Sequence, residues 1–221
     1  MKLNIRSKLM GGFGVGLAIM LIIGVVTYIS TVSLVNNSNM VDHTHEVLKG
    51  LDSIVSYLKD SETGQRGYLI TGENRYLEPY NASLSEIPLA IANVRDLTSD
   101  NPVQQARIRE LEPLVAAKLA ELKETIDLRR DVGFDAALEV VLTDAGKQVM
   151  DDLRGVITAM ADEELVLLDV RAAATASTAN TVKMSILVGT AIAFVLLGGI
   201  AFYLSRSISN GVTTVGQALS R

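Results

Sequence analysis

Apolar side chains recur at steps of three and four residues along most of the chain. Leu48, Leu51, Val55 and Leu58 follow this spacing, as do Leu111, Val115, Leu119, Leu122 and Ile126, and later Val149, Leu153, Val156 and Met160. Such steps place the side chains on one side of an α-helix. No segment alternates apolar and polar residues for long, so strands are not expected. The pattern changes in two places, Leu9 to Val41 and Met184 to Ser205, which carry no charge at all. A bilayer core needs roughly 20 mostly apolar helical residues to cross, because lipid offers unpaired backbone groups no hydrogen-bond partner. A soluble helix of that length would keep a polar face, and neither stretch has one. Transmembrane helices are predicted at residues 9–30 and 183–204, around a central domain at 31–182.

Turn chemistry divides the central domain. Gly72, in Thr71-Gly72-Glu73-Asn74, suits a left-handed helix cap. In Ser99-Asp100-Asn101-Pro102, Asn101 can cap, Pro102 fits the first helical position and Gln104 completes a capping-box-like arrangement. A third break falls at Asp131-Val132-Gly133, followed by a short irregular helical piece through Leu142 and a turn near Asp144-Ala145-Gly146. Four long helices are predicted, at Thr31–Ile70, Leu77–Thr98, Pro102–Arg130 and Gly146–Thr181, with Pro79, Pro88 and Pro113 marking a delayed start, a bend and a kink. The expected fold is all-α: an up-down four-helix bundle flanked by two transmembrane helices continuous with its first and last helices. No proline interrupts Met1 to Glu78 or Leu114 to Arg221.

Charge gives the orientation. Residues 31–182 hold 14 basic and 25 acidic side chains, a net of −11, whereas the other 69 residues hold six basic and no acidic ones. Lys2, Arg6 and Lys8 precede the first span and Arg206 follows the second; cations so placed are retained in the cytoplasm. Lys183 is read as snorkelling from the outer interface. Both termini, residues 1–8 and 205–221, are expected to be cytoplasmic, with the central domain outside. A cleavable signal peptide would share the basic start, but the apolar run exceeds a typical h-region and no small-x-small cleavage site follows. An acidic outer domain argues against nucleic-acid binding, and the absence of cysteine excludes disulfides and thiolate metal sites.

The densest motif is DSETGQRGYLITGENRYLEPYNAS, Asp60 to Ser83. Glu62 and Arg66 stand four apart in the favourable acid-first order. Gly64 and Gly67 each cost a helix about 1 kcal/mol relative to alanine, so close packing by a neighbour or the lining of a pocket should compensate. Glu62, Gly64, Gln65, Arg66, Gly67 and Tyr68 are therefore the candidate ligand-binding or packing set. With HTHEVL at His43–Leu48, DNPVQQARIREL at Asp100–Leu111, ETIDLRR at Glu124–Arg130 and GKQVMDDLR at Gly146–Arg154, this motif resembles the third class of CHASE domain, extracellular sensors of bacterial transmembrane receptors. The resemblance spans about 140 residues of the sequence and implies a helical, membrane-flanked sensory domain; it brings no binding site with it. SRSISNGVTTVGQALSR, after the second span, is similar to the start of a HAMP relay helix, with Gly211 where proline is usual.

Other clusters are weaker. His43 and His45 lie two apart and point to different sides of a helix, so a shared metal ion is not expected. Asp151-Asp152 and Glu163-Glu164 read as solvated faces. Gly12 with Gly16, and Ser185, Gly189 and Ala193, have the small-xxx-small spacing that lets transmembrane helices approach, and the alanine-rich Ala172–Ala179 run extends it; a homodimer is expected on that basis. No nucleotide loop, phosphoacceptor or catalytic cluster is present, so no enzyme activity, metal or cofactor is expected. The sequence points to a sensory input module in a bacterial inner membrane. It would pass a stimulus from an extracytoplasmic ligand or protein, by helix movement, to a chemoreceptor-type or histidine-kinase-type output outside this chain. The chain is then the input half of a receptor or a stand-alone sensor; the alternative is a non-signalling scaffold that binds a partner constitutively.

Overall fold

A computed structural model describes residues 5–219. The expectations for residues 1–4, including Lys2, and for 220–221 lie outside the described residues, as do those for the side chains of Lys8 and of 210–219, Gly211 among them. The described elements are helices throughout: α1 (Ile5–Thr71), a 3₁₀ turn (Asn74–Leu77), α2 (Glu78–Leu97), α3 (Pro102–Asp131), α4 (Phe134–Val141) and α5 (Ala145–Leu219). The all-α expectation holds, and α1 and α5 each take in a predicted span together with a predicted bundle helix. The chain divides into two units, one formed by Asn39–Arg171 and the other by the segments up to Ser38 and from Ala172.

The Asn39–Arg171 unit is a helical bundle in which α1, α3 and α5 each bury a row of side chains at alternating three- and four-residue steps. On α1 these are Thr44, Val47, Leu51, Ile54, Leu58, Ser61, Gln65 and Tyr68; on α3 Gln104, Ile108, Leu111, Val115, Lys118, Leu122 and Thr125; on α5 Met150, Leu153, Ile157, Met160 and Glu164. A repeat averaging 3.5 residues keeps a seam facing its neighbours, as in coiled-coil packing. The apolar series expected from sequence lies partly beside this seam: Val55, Leu119, Val149 and Val156 are half-buried, packed against the core whose centre holds Ile54, Met150 and Ile157. The apolar stripe of each helix is wider than one row, so the pattern gives the face but not the innermost row.

Side-chain bonds between helices fix the topology. Gln65 reaches Thr125 and Arg129 reaches the Leu69 carbonyl, so α1 and α3 run parallel. Gln104 meets Met160 and Glu164 while Lys118 meets Gly146, so α3 and α5 run antiparallel. The breaks follow local chemistry. Gly72 has φ +72° and its N–H returns to the Tyr68 carbonyl at 2.7 Å, closing α1. Asn101 Oδ1 accepts from the amides of Val103 and Gln104, with Pro102 opening α3. Asp144, at φ +60°, turns the chain into α5. Pro88 and Pro113 lie within α2 and α3 without ending either.

Two expectations change. Gln104 does not complete a capping box: its side chain is fully buried and its Nε2 donates to the Met160 carbonyl at 3.0 Å and to Glu164 Oε1 at 2.9 Å. The piece after Gly133 is a regular two-turn helix, α4, with Ala137 buried in a second core cluster beside Tyr68, Leu69, Leu122 and Ile126.

The other unit holds the two apolar windows, of mean hydropathy 2.4 and 2.3, of which 6% and 0% is buried. A core helix of a soluble protein would be covered, so these are candidate membrane spans. A Cβ on Gly12 would stand 3.0 Å from Ile200 Cγ2, and one on Gly16 would stand 3.1 Å from Leu197 Cδ2. The small-residue pair expected to serve a dimer therefore has its close neighbours in the second span of its own chain. Asn37 Nδ2 also donates to Thr178 Oγ1 at 3.1 Å.

Candidate functional site

Lys118 occupies a position of the α3 seam that an apolar residue would ordinarily fill. Its side chain is 2% exposed, and burying an ammonium requires partners on every side. It has them. Nζ donates to Glu121 Oε2 at 2.9 Å and to the Gly146 carbonyl at 3.1 Å, and lies 3.5 Å from Glu62 Oε1. Glu62 and Glu121 are themselves mostly covered, at 14% and 16% exposure. Glu62 Oε1 also accepts from Arg66 at 2.8 Å, the one-turn pair expected from the sequence. Gly146 makes the cluster possible, because a Cβ there would overlap the Glu121 carboxylate.

This group forms one wall of a cavity of about 380 Å³ bounded by α1, α3, α4 and the start of α5. The volume lies in the range of small-molecule sites. Gln65 adds a buried amide, whereas Leu69, Phe134, Leu138 and Val141 supply apolar lining. Arg129 braces the end of α1: its Nε donates to the Leu69 carbonyl at 2.8 Å, and its guanidinium lies 5.9 Å from the centroid of the Phe134 ring.

The motif set divides between two sides of α1. Glu62, Gln65 and Arg66 line the cavity. Gly64 and Gly67 lie against the following turn: a Cβ on Gly64 would approach Tyr80 N to 2.8 Å and Tyr76 O to 3.1 Å, and one on Gly67 would approach the Tyr76 ring at 2.9 Å. Tyr68 is buried in the second core cluster. The glycines thus permit close approach of the 3₁₀ turn and α2, and the polar residues between them face the cavity.

Lys118, Glu121, Gly146 and Phe134 were not anticipated. A signal was present for Lys118, a charge at three- and four-residue steps from Leu111, Val115 and Leu122. Gly146 was marked only as part of a turn and α4 only as a short irregular piece; their roles in the site depend on how distant segments meet. His43 is half-buried and His45 exposed, and among the described residues no group of three or more His, Cys, Asp or Glu side chains is placed to hold a metal ion.

The sequence profile of the CHASE3 domain matches residues 37–174, close to the limits of the bundle unit. No curated protein matches the chain. Among solved structures, the sensor domain of a Rhodopseudomonas palustris histidine kinase resembles it with a TM-score of 0.52 and 24% identity, over 56% of this chain and 97% of that one. That likeness is one of fold.

Proposed function

Since this chain belongs to the CHASE3 domain family, we infer that its sensory domain receives a stimulus at the Lys118 cavity and transmits it through α1 and α5. The chain is a sensory input module with two candidate membrane spans. The finer reading places residues 31–182 outside a bacterial inner membrane, with spans at 9–30 and 183–204, both termini cytoplasmic and the chain paired as a homodimer. The charge asymmetry between the central and flanking segments supports that orientation. The observation that carries the mechanism is a double role: α1 supplies Glu62, α5 supplies Gly146, and the same two helices contain the apolar windows. A ligand that favours one of two packings around the cavity biases the helices that enter the membrane, and a kinase or chemotaxis output reads the result.

Fusion of residues 1–221 to a kinase reporter tests this. The output should respond to an extracellular stimulus, and removal of residues 42–169 should abolish the response. An output indifferent to that removal and to every stimulus screened overturns sensing. Cysteine crosslinks within Ala172–Ala179 should change with stimulus in a transmitter and stay constant in a scaffold.

A further inference from the structure

The interior polar atoms that remain open to the cavity are hydrogen-bond acceptors. Lys118 gives ammonium protons to Glu121 and the Gly146 carbonyl, and its Nζ lies 3.5 Å from Glu62 Oε1. Thr125 gives its hydroxyl proton to the helix carbonyls of Glu121 and Leu122, so it accepts from Gln65 Nε2, at 2.7 Å. This fixes the amide orientation and leaves Gln65 Oε1 without a hydrogen bond among the described residues. Gln65 is only 3% exposed and lines the cavity, so that acceptor is free for a donor on a molecule bound there.

Charge points the same way. One buried ammonium faces two mostly buried carboxylates, and the guanidinium that also pairs with Glu62 stands mostly in solvent, so the covered part of the wall is acidic. The cations Arg66 and Lys147 lie at the mouth with side chains 69% and 71% exposed, tied to Glu62 and Asp151. An anion that passes the exposed Arg66 and Lys147 would meet carboxylates and the Gln65 amide oxygen on the inner wall. A primary ammonium would bring three donors and a charge complementary to that wall.

Resting on the reading of this cavity as the stimulus site, we propose that its ligand is a small organic cation: a primary ammonium group on an apolar body. The ammonium binds Gln65 Oε1 and the carboxylates of Glu62 and Glu121, and the body packs on Phe134, Leu138 and Val141.

The test is calorimetric titration of the full chain in detergent micelles with phenethylammonium, the near-isosteric anion phenylacetate and neutral phenylethanol. The ammonium should bind and raise the Tm, the other two should not, and Glu121→Gln should weaken binding by about tenfold or more. Val141→Phe, a filling change at a part-exposed position, should block binding while the unliganded Tm is kept. Equal or tighter binding of phenylacetate or phenylethanol, blocked by Val141→Phe, overturns the cation and leaves the cavity as the site. Ammonium binding that ignores both substitutions overturns the cavity itself. Failure of all three probes at millimolar concentration overturns the ligand class.

Discussion

Lys118 Nζ lies 3.1 Å from the carbonyl oxygen of Gly146, tying the core of α3 to the first turn of α5. The same ammonium is the partner of Glu121, whereas Glu62 also has Arg66. Lys118→Met therefore strands one mostly buried carboxylate more than the other. Breaking a buried pair by removing one partner costs about 3–5 kcal/mol, because the remaining charge keeps its desolvation penalty. Lys118→Met should lower the unfolding midpoint of the chain in micelles accordingly, and adding Glu121→Gln should recover part of the loss. A double variant no more stable than Lys118→Met would remove Glu121 from the account.

Gly64 and Gly67 should respond differently to alanine. Alanine gains about 1 kcal/mol over glycine in a helix interior. At Gly64 the added Cβ meets backbone atoms of Tyr80 and Tyr76, which cannot move without shifting α2. At Gly67 it meets the Tyr76 ring, whose residue is 39% exposed and free to swing outward. Gly64→Ala should be destabilising by about 1–3 kcal/mol, the cost of overpacking, and Gly67→Ala close to neutral. Thermal unfolding of the two variants decides it; equal midpoints would contradict the backbone contact.

The contrast shows what was legible in the sequence. Apolar spacing, Gly72, Asn101 and Pro102 act through local geometry, so the helices and their ends could be read directly. The Asp60–Ser83 motif marked the stretch of α1 whose Glu62, Gln65 and Arg66 line the cavity, because Glu62 and Arg66 pair within one turn. The rest of the site is assembled from residues about 60 and 80 positions away in sequence, Thr125 and Gly146, and helical periodicity carries no information about which of them meet. Lys118 is intermediate, visible as a charge in an apolar row and explained only by the carboxylates that α1 and its own next turn bring to it.

The glycines of the first span offer a paired control. A Cβ on Gly12 would touch Ile200 and Leu204, whereas one on Gly11 finds nothing within 4 Å. With little hydrophobic force between helices in lipid, close packing of this kind holds spans together. Met20 and Leu197 line the same apolar groove between the spans, and the chain has no native cysteine to interfere. Cysteines introduced at those two positions should crosslink through a short bismaleimide within one chain. Gly12→Ile should lower the yield and Gly11→Ile should leave it unchanged. Equal yields in the two variants would show that the Gly12 contact does not hold the spans together.

Stability should be flat in the middle of the pH range and fall at both ends, for identifiable reasons. Hydrogen bonds from Lys123 and Lys147 hold the carboxyls of Asp127 and Asp151 below their usual range. Their contribution is present above the ordinary carboxylate value of about 4 and is lost as pH falls through the lowered values. Lys123 and Lys147 are raised by the same bonds, and Tyr80 is raised chiefly by burial, with Lys123 lowering it and Asp127 raising it by smaller amounts. Contributions from raised groups are present below about pH 10 and lost as pH climbs through the raised values. The two ion pairs are exposed, so water and salt keep their share small; Tyr80, 8% exposed, should dominate the alkaline side. Tyr80→Phe keeps the ring and removes the ionisable hydroxyl. Its unfolding midpoint, followed from neutral pH upward, should decline less steeply than that of the unmodified chain, whereas Asp127→Asn should flatten the acid side instead. Parallel alkaline limbs for Tyr80→Phe and the unmodified chain would remove Tyr80 as the source.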